Sequence, residues 1–97
     1  MAEVRWTLQA AEDLEVITDF IAGDSVHYAS LFAMDVLAAV ERLATFPASG
    51  RIVPEMNDPA VREIILGNYR IAYRLKGGLV EILTFLAFSF ANLPKTS

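Results

Sequence analysis

The chain is 97 residues long, 55% hydrophobic and 21% charged, which excludes intrinsic disorder and predicts one small domain over residues 1–97. Eight Lys and Arg against twelve Asp and Glu give a net charge of -4, which argues against a broadly cationic nucleic-acid binder and leaves room only for a local basic patch. The cysteine count is zero and His27 is the one histidine, so disulfide scaffolds, thiolate chemistry and histidine-based metal centres are excluded. No cofactor or metal is expected. The segment Met1–Thr7 shows no apolar targeting core, and the apolar run Ile82–Ala91 is about half the length that spans a bilayer. The expectation is a soluble, cytoplasmic protein with no membrane contact. Its mean hydropathy of +0.41 is high for its size and points to a partner that covers apolar surface.

The first segment, Glu3-Val4-Arg5-Trp6-Thr7, alternates as a short strand does. Thr7 then caps a helix predicted to run to about Ala22, with Leu8, Ala11, Leu14, Ile17, Phe20 and Ile21 at helical spacing and Glu12, Asp13 and Glu15 on a solvated face. Gly23 is expected to stop it, and Asp24-Ser25 to start a second helix over Val26–Thr45. That helix carries the stripe Ala29, Phe32, Ala33, Val36, Leu37, Val40, Leu43 and Ala44, and Phe46-Pro47 ends it. So short a turn requires an antiparallel helical hairpin. Beyond it, Ala48–Arg51 and Glu55–Pro59 read as turns, and three strands are predicted at Val61–Leu66, Tyr69–Lys76 and Leu79–Leu86. Gly67-Asn68 and Gly77-Gly78 separate them by two residues each, as tight hairpins require. The fold class is α+β: an N-terminal strand and a two-helix hairpin packed on one face of an antiparallel meander.

Strand parity places Arg70, Ala72 and Arg74 on one face of the middle strand and Tyr69, Ile71 and Tyr73 on the other. The helices are expected to cover the tyrosines. Arg62 alternates on the preceding strand and Arg51 precedes it, so Arg51, Arg62, Arg70 and Arg74 form a candidate phosphate- or carboxylate-binding cluster on an open sheet face. The weightier reading is a solvated face whose arginines pair with Glu63, Glu81 or Glu55. His27 has no orienting partner in sequence and reads as a surface residue. Trp6 and the Phe and Tyr side chains read as core. The apolar run Ile82–Ala91 is either a last strand buried on both faces or a docking surface, and the latter predicts self-association of the chain when alone.

Several phrases, in order, resemble the RelE/ParE toxins of bacterial type II toxin–antitoxin systems. They are Val4-Arg5-Trp6-Thr7, Ala11-Glu12-Asp13-Leu14, Phe20-Ile21-Ala22 and Asp24-Ser25. Phe46-Pro47-Ala48-Ser49-Gly50-Arg51, Val53-Pro54-Glu55, Val61-Arg62-Glu63-Ile64 and Tyr69-Arg70-Ile71-Ala72-Tyr73-Arg74 continue the series. The resemblance runs from Val4 to Phe85 and implies a toxin neutralised by a cognate antitoxin of the RelB/ParD kind. RelE-type members cleave messenger RNA on the ribosome, whereas ParE-type members poison DNA gyrase. By motif, Arg70 matches the central-strand arginine of the RelE type and Arg62 lies near its lysines, so these two are the catalytic candidates if the chain is RelE-like. The Gly50-Arg51 and Val53-Pro54-Glu55 wording is closer to ParE.

The tail departs from the pattern. Phe90 stands where an arginine is expected, and no basic residue follows Lys76 until Lys95. Loss of a cation at the scissile phosphate costs orders of magnitude in rate, so the resemblance favours a gyrase-directed toxin over a ribonuclease. A third reading is an attenuated toxin that survives as an antitoxin-binding scaffold. The antitoxin surface is expected at Phe85, Leu86, Phe88 and Phe90.

Overall fold

The computed structural model describes residues 1–87. Five strands and two helices follow one another as β1 (Glu3–Trp6), α1 (Leu8–Asp24), α2 (Val26–Thr45), β2 (Arg51–Ile52), β3 (Val61–Leu66), β4 (Tyr69–Lys76) and β5 (Leu79–Ala87). Two short 3-10 turns, Pro47–Ser49 and Pro54–Met56, flank β2. The predicted helices and the three main strands are all present.

The strands form one sheet in the order β1-β5-β4-β3-β2. Its centre is the predicted meander, with β3, β4 and β5 antiparallel in sequence. Gly67 and Gly77 open the two tight turns with φ of 59° and 61°, the positive values required at the first central position of a type II′ hairpin. The N-terminal strand lies parallel to β5, with Val4 opposite Val80 and Trp6 opposite Ile82. Parallel pairing needs a long crossover, and the helical hairpin with the meander supplies it.

Helix α1 runs on through Gly23 to Asp24, so the glycine does not stop it. Ser25 ends one helix and starts the next. Its N–H donates to the Ile21 carbonyl at 2.9 Å, while its Oγ accepts from the Tyr28 N–H at 3.1 Å. A capping hydroxyl outcompetes a helix-tolerated glycine as the boundary signal. Thr7 caps α1 in the same way, accepting from the Ala10 N–H at 3.0 Å.

The core lies between the hairpin and one sheet face, built from Ala10, Val36, Val40, Leu43, Ile71, Tyr73, Val80, Ile82 and Phe85. The expected α1 stripe is only half used. Leu14 and Ile17 pack against the core, as does Ala10 from outside the stripe, whereas Leu8 and Phe20 stand 74% exposed, because α1 turns a narrow side to the sheet. On α2, Leu37 is exposed beside the buried Val36 and Val40. Tyr28 and Phe46 are exposed too, so those aromatics, expected in the core, are not. Trp6 does join it, stacked on Phe85 with ring centroids 5.6 Å apart.

A bulge shapes β5. Ala72 pairs with Thr84 and Tyr73 with Ile82, which leaves Leu83 as the extra residue. Just there β1 ends, and α1 takes over the freed edge. The Thr7 hydroxyl donates to the Leu83 carbonyl at 2.8 Å, and the Phe85 N–H donates to Asp13 at 3.1 Å. The Thr84 hydroxyl closes on the same Asp13 carboxylate oxygen. Asp13 is therefore a clamp between helix and sheet, not part of a solvated face.

Candidate functional site: the β3–β4 arginine cluster

The two-residue turn at Gly67-Asn68 fixes the pairing of β3 with β4, and the pairing decides which arginines meet. Glu63 lies opposite Ala72 and Arg62 opposite Tyr73. Residues paired across strands share a face. Glu63 thus joins Arg70 and Arg74 on the open face, and Arg62 lies with Ile71 and Tyr73 on the helix face. The expectation that Arg62 shares a surface with Arg70 is corrected by this register, because parity within one strand does not fix its alignment with the next.

On the open face Glu63 is the organising group, only 3% exposed. Its Oε2 receives Arg51 Nε at 2.6 Å, and its Oε1 lies 3.3 Å from Arg70 Nη1. Arg51 reaches it from solvent, whereas the Arg70 side chain is largely buried. Arg74 sits more loosely, 3.9 Å from Glu81. The paired reading of these arginines is the one found. A groove of about 380 Å³ runs over this face, with Val53, Met56, Leu83 and Leu86 on its walls and Glu63 and Arg70 in its lining.

On the helix face Arg62 Nη1 donates to the carbonyls of Ala48 and Gly50, at 3.2 and 3.0 Å. Its buried Nε has no hydrogen-bond partner among the described residues. Beside it the Tyr73 hydroxyl donates to the Pro47 carbonyl at 2.8 Å and accepts from the Gly50 N–H at 2.9 Å. Burial pushes this phenol above the ordinary tyrosine value, against the pull of the Gly50 N–H and the Arg62 charge. Gly50 has no room for a side chain, since a Cβ would lie 2.5 Å from the Tyr73 oxygen and 2.7 Å from the Glu63 carbonyl oxygen.

The remaining candidates separate. Phe85 points to the helix side and is 5% exposed, so its ring is core and not a docking contact. Leu86, one residue on and on the opposite face, is 45% exposed. Phe88 and Phe90 lie outside the described residues. His27 is exposed at the start of α2, its ring tilted against Tyr28, as expected of a surface histidine. Sequence reading named Glu63 among the arginines' carboxylate partners and put Tyr73 under the helices, and what it missed is that Glu63 is shared by two arginines and that the Tyr73 hydroxyl and Gly50 hold the loop. For Glu63 the signal was present: once Leu66 and Tyr69 flank the turn, Glu63 must fall between the two arginines.

The charges are unevenly spread. Between Arg5 and Arg42 the sequence has no Lys or Arg, so the helical hairpin is acidic along most of its length, and among the described residues every cation but Arg42 belongs to the sheet. Among the described residues no helix is long and apolar enough to cross a membrane.

Fold and cluster together define a small α+β protein whose sheet arginines are tied to its own carboxylates and loop carbonyls. A family model described as ParE toxin of type II toxin-antitoxin system, parDE, matches residues 4–87. The "Toxin RelE2" of Caulobacter vibrioides is 34% identical over 84 residues, covering 86% of this chain and 91% of that protein. A "Putative toxin Y4kP" of Sinorhizobium fredii is 36% identical over 85 residues, covering 86% of this chain and 84% of that one. A solved structure titled "Chromosomal ParDE TA system from P. aeruginosa" matches with a TM-score of 0.73 at 26% identity, covering 90% of this chain and 96% of that chain. The chain belongs to the ParE toxin family of type II toxin–antitoxin systems.

Proposed function

We propose that this chain arrests growth by binding and poisoning DNA gyrase, and that a cognate antitoxin of the RelB/ParD kind holds it inactive. The observation that carries this reading is the state of the arginines. Arg51 and Arg70 are aimed at Glu63 and Arg74 at Glu81, at 2.6, 3.3 and 3.9 Å. A nuclease site needs preorganised cations directed at the place where phosphate charge develops. Here a phosphate would first have to displace a buried carboxylate. A protein surface needs no such rearrangement, and Phe20, Tyr28, Leu31, Met34 and Leu37 give the helical hairpin an exposed apolar face of the kind that binds proteins. The experiment is a supercoiling assay with purified chain and gyrase. Inhibition relieved by the antitoxin encoded beside the gene is expected, and full supercoiling at every toxin concentration would sink the reading.

A second reading, a ribosome-dependent messenger RNA endoribonuclease, is favoured by the likeness to a protein named as a RelE toxin. In that case Arg70, on the open face, contacts the scissile phosphate, and Arg62, on the helix face, acts only through the loop carbonyls it holds. Primer extension after induction then shows discrete cuts that Arg70→Ala removes, whereas an unchanged cleavage map leaves the gyrase reading in place. Normal growth with soluble chain present would instead leave an antitoxin-binding scaffold. In that outcome Phe90→Arg is the substitution expected to restore toxicity.

A further inference from the structure

We propose that the hollow between the tip of the helical hairpin and the β3–β4 turn binds a free alkylguanidinium cation. The hollow measures about 540 Å³, the size of a small-molecule site. Its walls come from three places in the chain. Tyr28, Phe32 and Asp35 stand at i, i+4 and i+7, so they share one side of α2. Phe20 comes from near the end of α1, and the turn at Gly67-Asn68 brings Tyr69 up from the sheet. The hairpin turn at Ser25 and the strand turn at Gly67 therefore converge on one cavity, and two independent features of its lining select the guest.

The first is the rings. Four aromatic side chains line this one hollow, Phe20 and Tyr28 exposed, Phe32 and Tyr69 half-buried. Phe32 and Tyr69 meet with ring centroids 5.3 Å apart and planes tilted by 59°. A tilt of that size makes a corner and leaves ring surface free for a guest, which a closed stack would not. Phe20 and Tyr28 gain little from the fold where they stand. A cation over a ring face is attracted by the ring's negative quadrupole, and a guanidinium, planar and weakly hydrated, stacks on it as well.

The second is charge. Asp35 is exposed and is the one acidic or basic side chain in the lining among the described residues. It makes no ion pair and no side-chain hydrogen bond among them. The sheet's carboxylates differ: Glu63 and Glu81 already face arginines. No Lys or Arg lies between Arg5 and Arg42, so the hairpin supplies no cation of its own to Asp35. A guanidinium offers its fork of N–H donors to such a carboxylate while its flat face rests on a ring. A quaternary ammonium has no donors, and a compact alkylammonium holds its water more tightly. The site does not rest on the gyrase reading, and the chain alone suffices to test it.

The test titrates the isotopically labelled chain with butylguanidinium, read by NMR shifts and by NOEs between guest and protein. Saturable binding with a Kd on the order of 1 mM is expected, with NOEs from the guest to the rings of Phe20, Tyr28 and Tyr69. Butylurea keeps the planar shape without the charge and should bind about tenfold more weakly or worse. Butylammonium and tetramethylammonium should also bind more weakly than butylguanidinium. Asp35→Asn should weaken butylguanidinium about fivefold, and Tyr28→Leu about threefold. Both positions are exposed, so an unchanged amide spectrum elsewhere shows that the fold survives. Absence of saturable shifts, equal binding of butylurea, indifference to Asp35→Asn, or NOEs centred elsewhere would overturn the proposal. A capped Gly-Arg-Gly tripeptide that binds more than about tenfold tighter than butylguanidinium would assign the hollow to an arginine of a partner protein and overturn it equally.

Discussion

The two faces of the sheet hold the same loop by opposite means. After α2 the chain must cross from the helix layer to the sheet edge through residues 47–51. On the helix face the hold is made by hydrogen bonds to main-chain groups: the Tyr73 hydroxyl bridges Pro47 and Gly50, and Arg62 reaches two loop carbonyls. On the open face the hold is ionic, Arg51 drawn onto the buried Glu63 that Arg70 also contacts. The Tyr73 bridge is neutral, and Arg62, the cation on this face, spends its guanidinium on carbonyl dipoles and not on a carboxylate. The ionic hold suits the face where one partner, Arg51, keeps its head in solvent. The loop straddles the β3 edge because it is gripped from both sides.

The largest expected effect strikes both holds at once. Gly50→Ala places a Cβ 2.5 Å from the Tyr73 oxygen and 2.7 Å from the Glu63 carbonyl oxygen, and neither a buried ring nor a strand carbonyl can move aside freely. The cost should be about 3 kcal/mol or more, read as a fall in the urea midpoint. Adding Tyr73→Phe should not rescue the variant, because the clash with the Glu63 carbonyl remains. Rescue would show that the helix-face hold alone sets the loop. Next comes Glu63→Gln, which keeps the volume and removes the anion shared by two cations. Breaking a buried pair from one side costs about 3 kcal/mol, here discounted because Arg51 is half in solvent, so about 2 kcal/mol is expected. An unchanged midpoint would make the open-face hold ornamental.

Tyr73→Phe tests the helix face alone. It leaves the Gly50 N–H and the Pro47 carbonyl without their shared partner and should cost about 1.5 kcal/mol. The two faces also differ in how they respond to pH. Burial raises the Tyr73 phenol above the ordinary value of 10.0. A group whose folded value is raised contributes its stability in full below the unfolded value and loses it as pH climbs through the folded one. Alkaline denaturation should therefore have a component beginning near pH 10 that is absent in Tyr73→Phe. Identical alkaline limbs in the two proteins would show that the phenol is not what holds the loop.

How much of this was legible in the sequence follows from which signals are local. The β4 alternation put Ile71 and Tyr73 in the core and Arg70 and Arg74 on the other face, because period-two parity needs no knowledge of neighbours. Both hairpin glycines were legible for the same reason. Arg62 was misplaced although the tight turn at Gly67-Asn68 already set its partner: parity within a strand was used and register between strands was not. Helix α1 misled differently. Its apolar spacing is genuine, but a helix on the rim of a five-stranded sheet buries little of it, and the sequence does not announce how wide a contact each helix will find. The parallel pairing of β1 with β5 and the two-residue β2 were illegible, since both depend on where a distant strand lies.

The smallest expected effect sits at the opposite end of the sheet and sharpens the comparison. At the β3 edge a loop is held by side chains of the sheet; at the β5 edge the sheet is held by a side chain of a helix. Asp13 accepts from the Phe85 N–H at 3.1 Å, from Gln9 at 2.7 Å and from the Thr84 hydroxyl, just where β1 runs out. Burial pushes its carboxyl up, but the three hydrogen bonds, Thr84 foremost, outweigh burial and hold it below the ordinary aspartate value. A lowered folded value means stability that is present above the unfolded value and lost as pH falls through the folded one. Asp13→Asn keeps the shape and can still accept one hydrogen bond, so at neutral pH it should cost only about 1 kcal/mol. In acid the wild-type chain should lose that advantage and the two stability curves should converge. A constant gap down through the acid range would mean that Asp13 works by shape and not by charge, and that the β5 edge is held by Thr7 and packing alone.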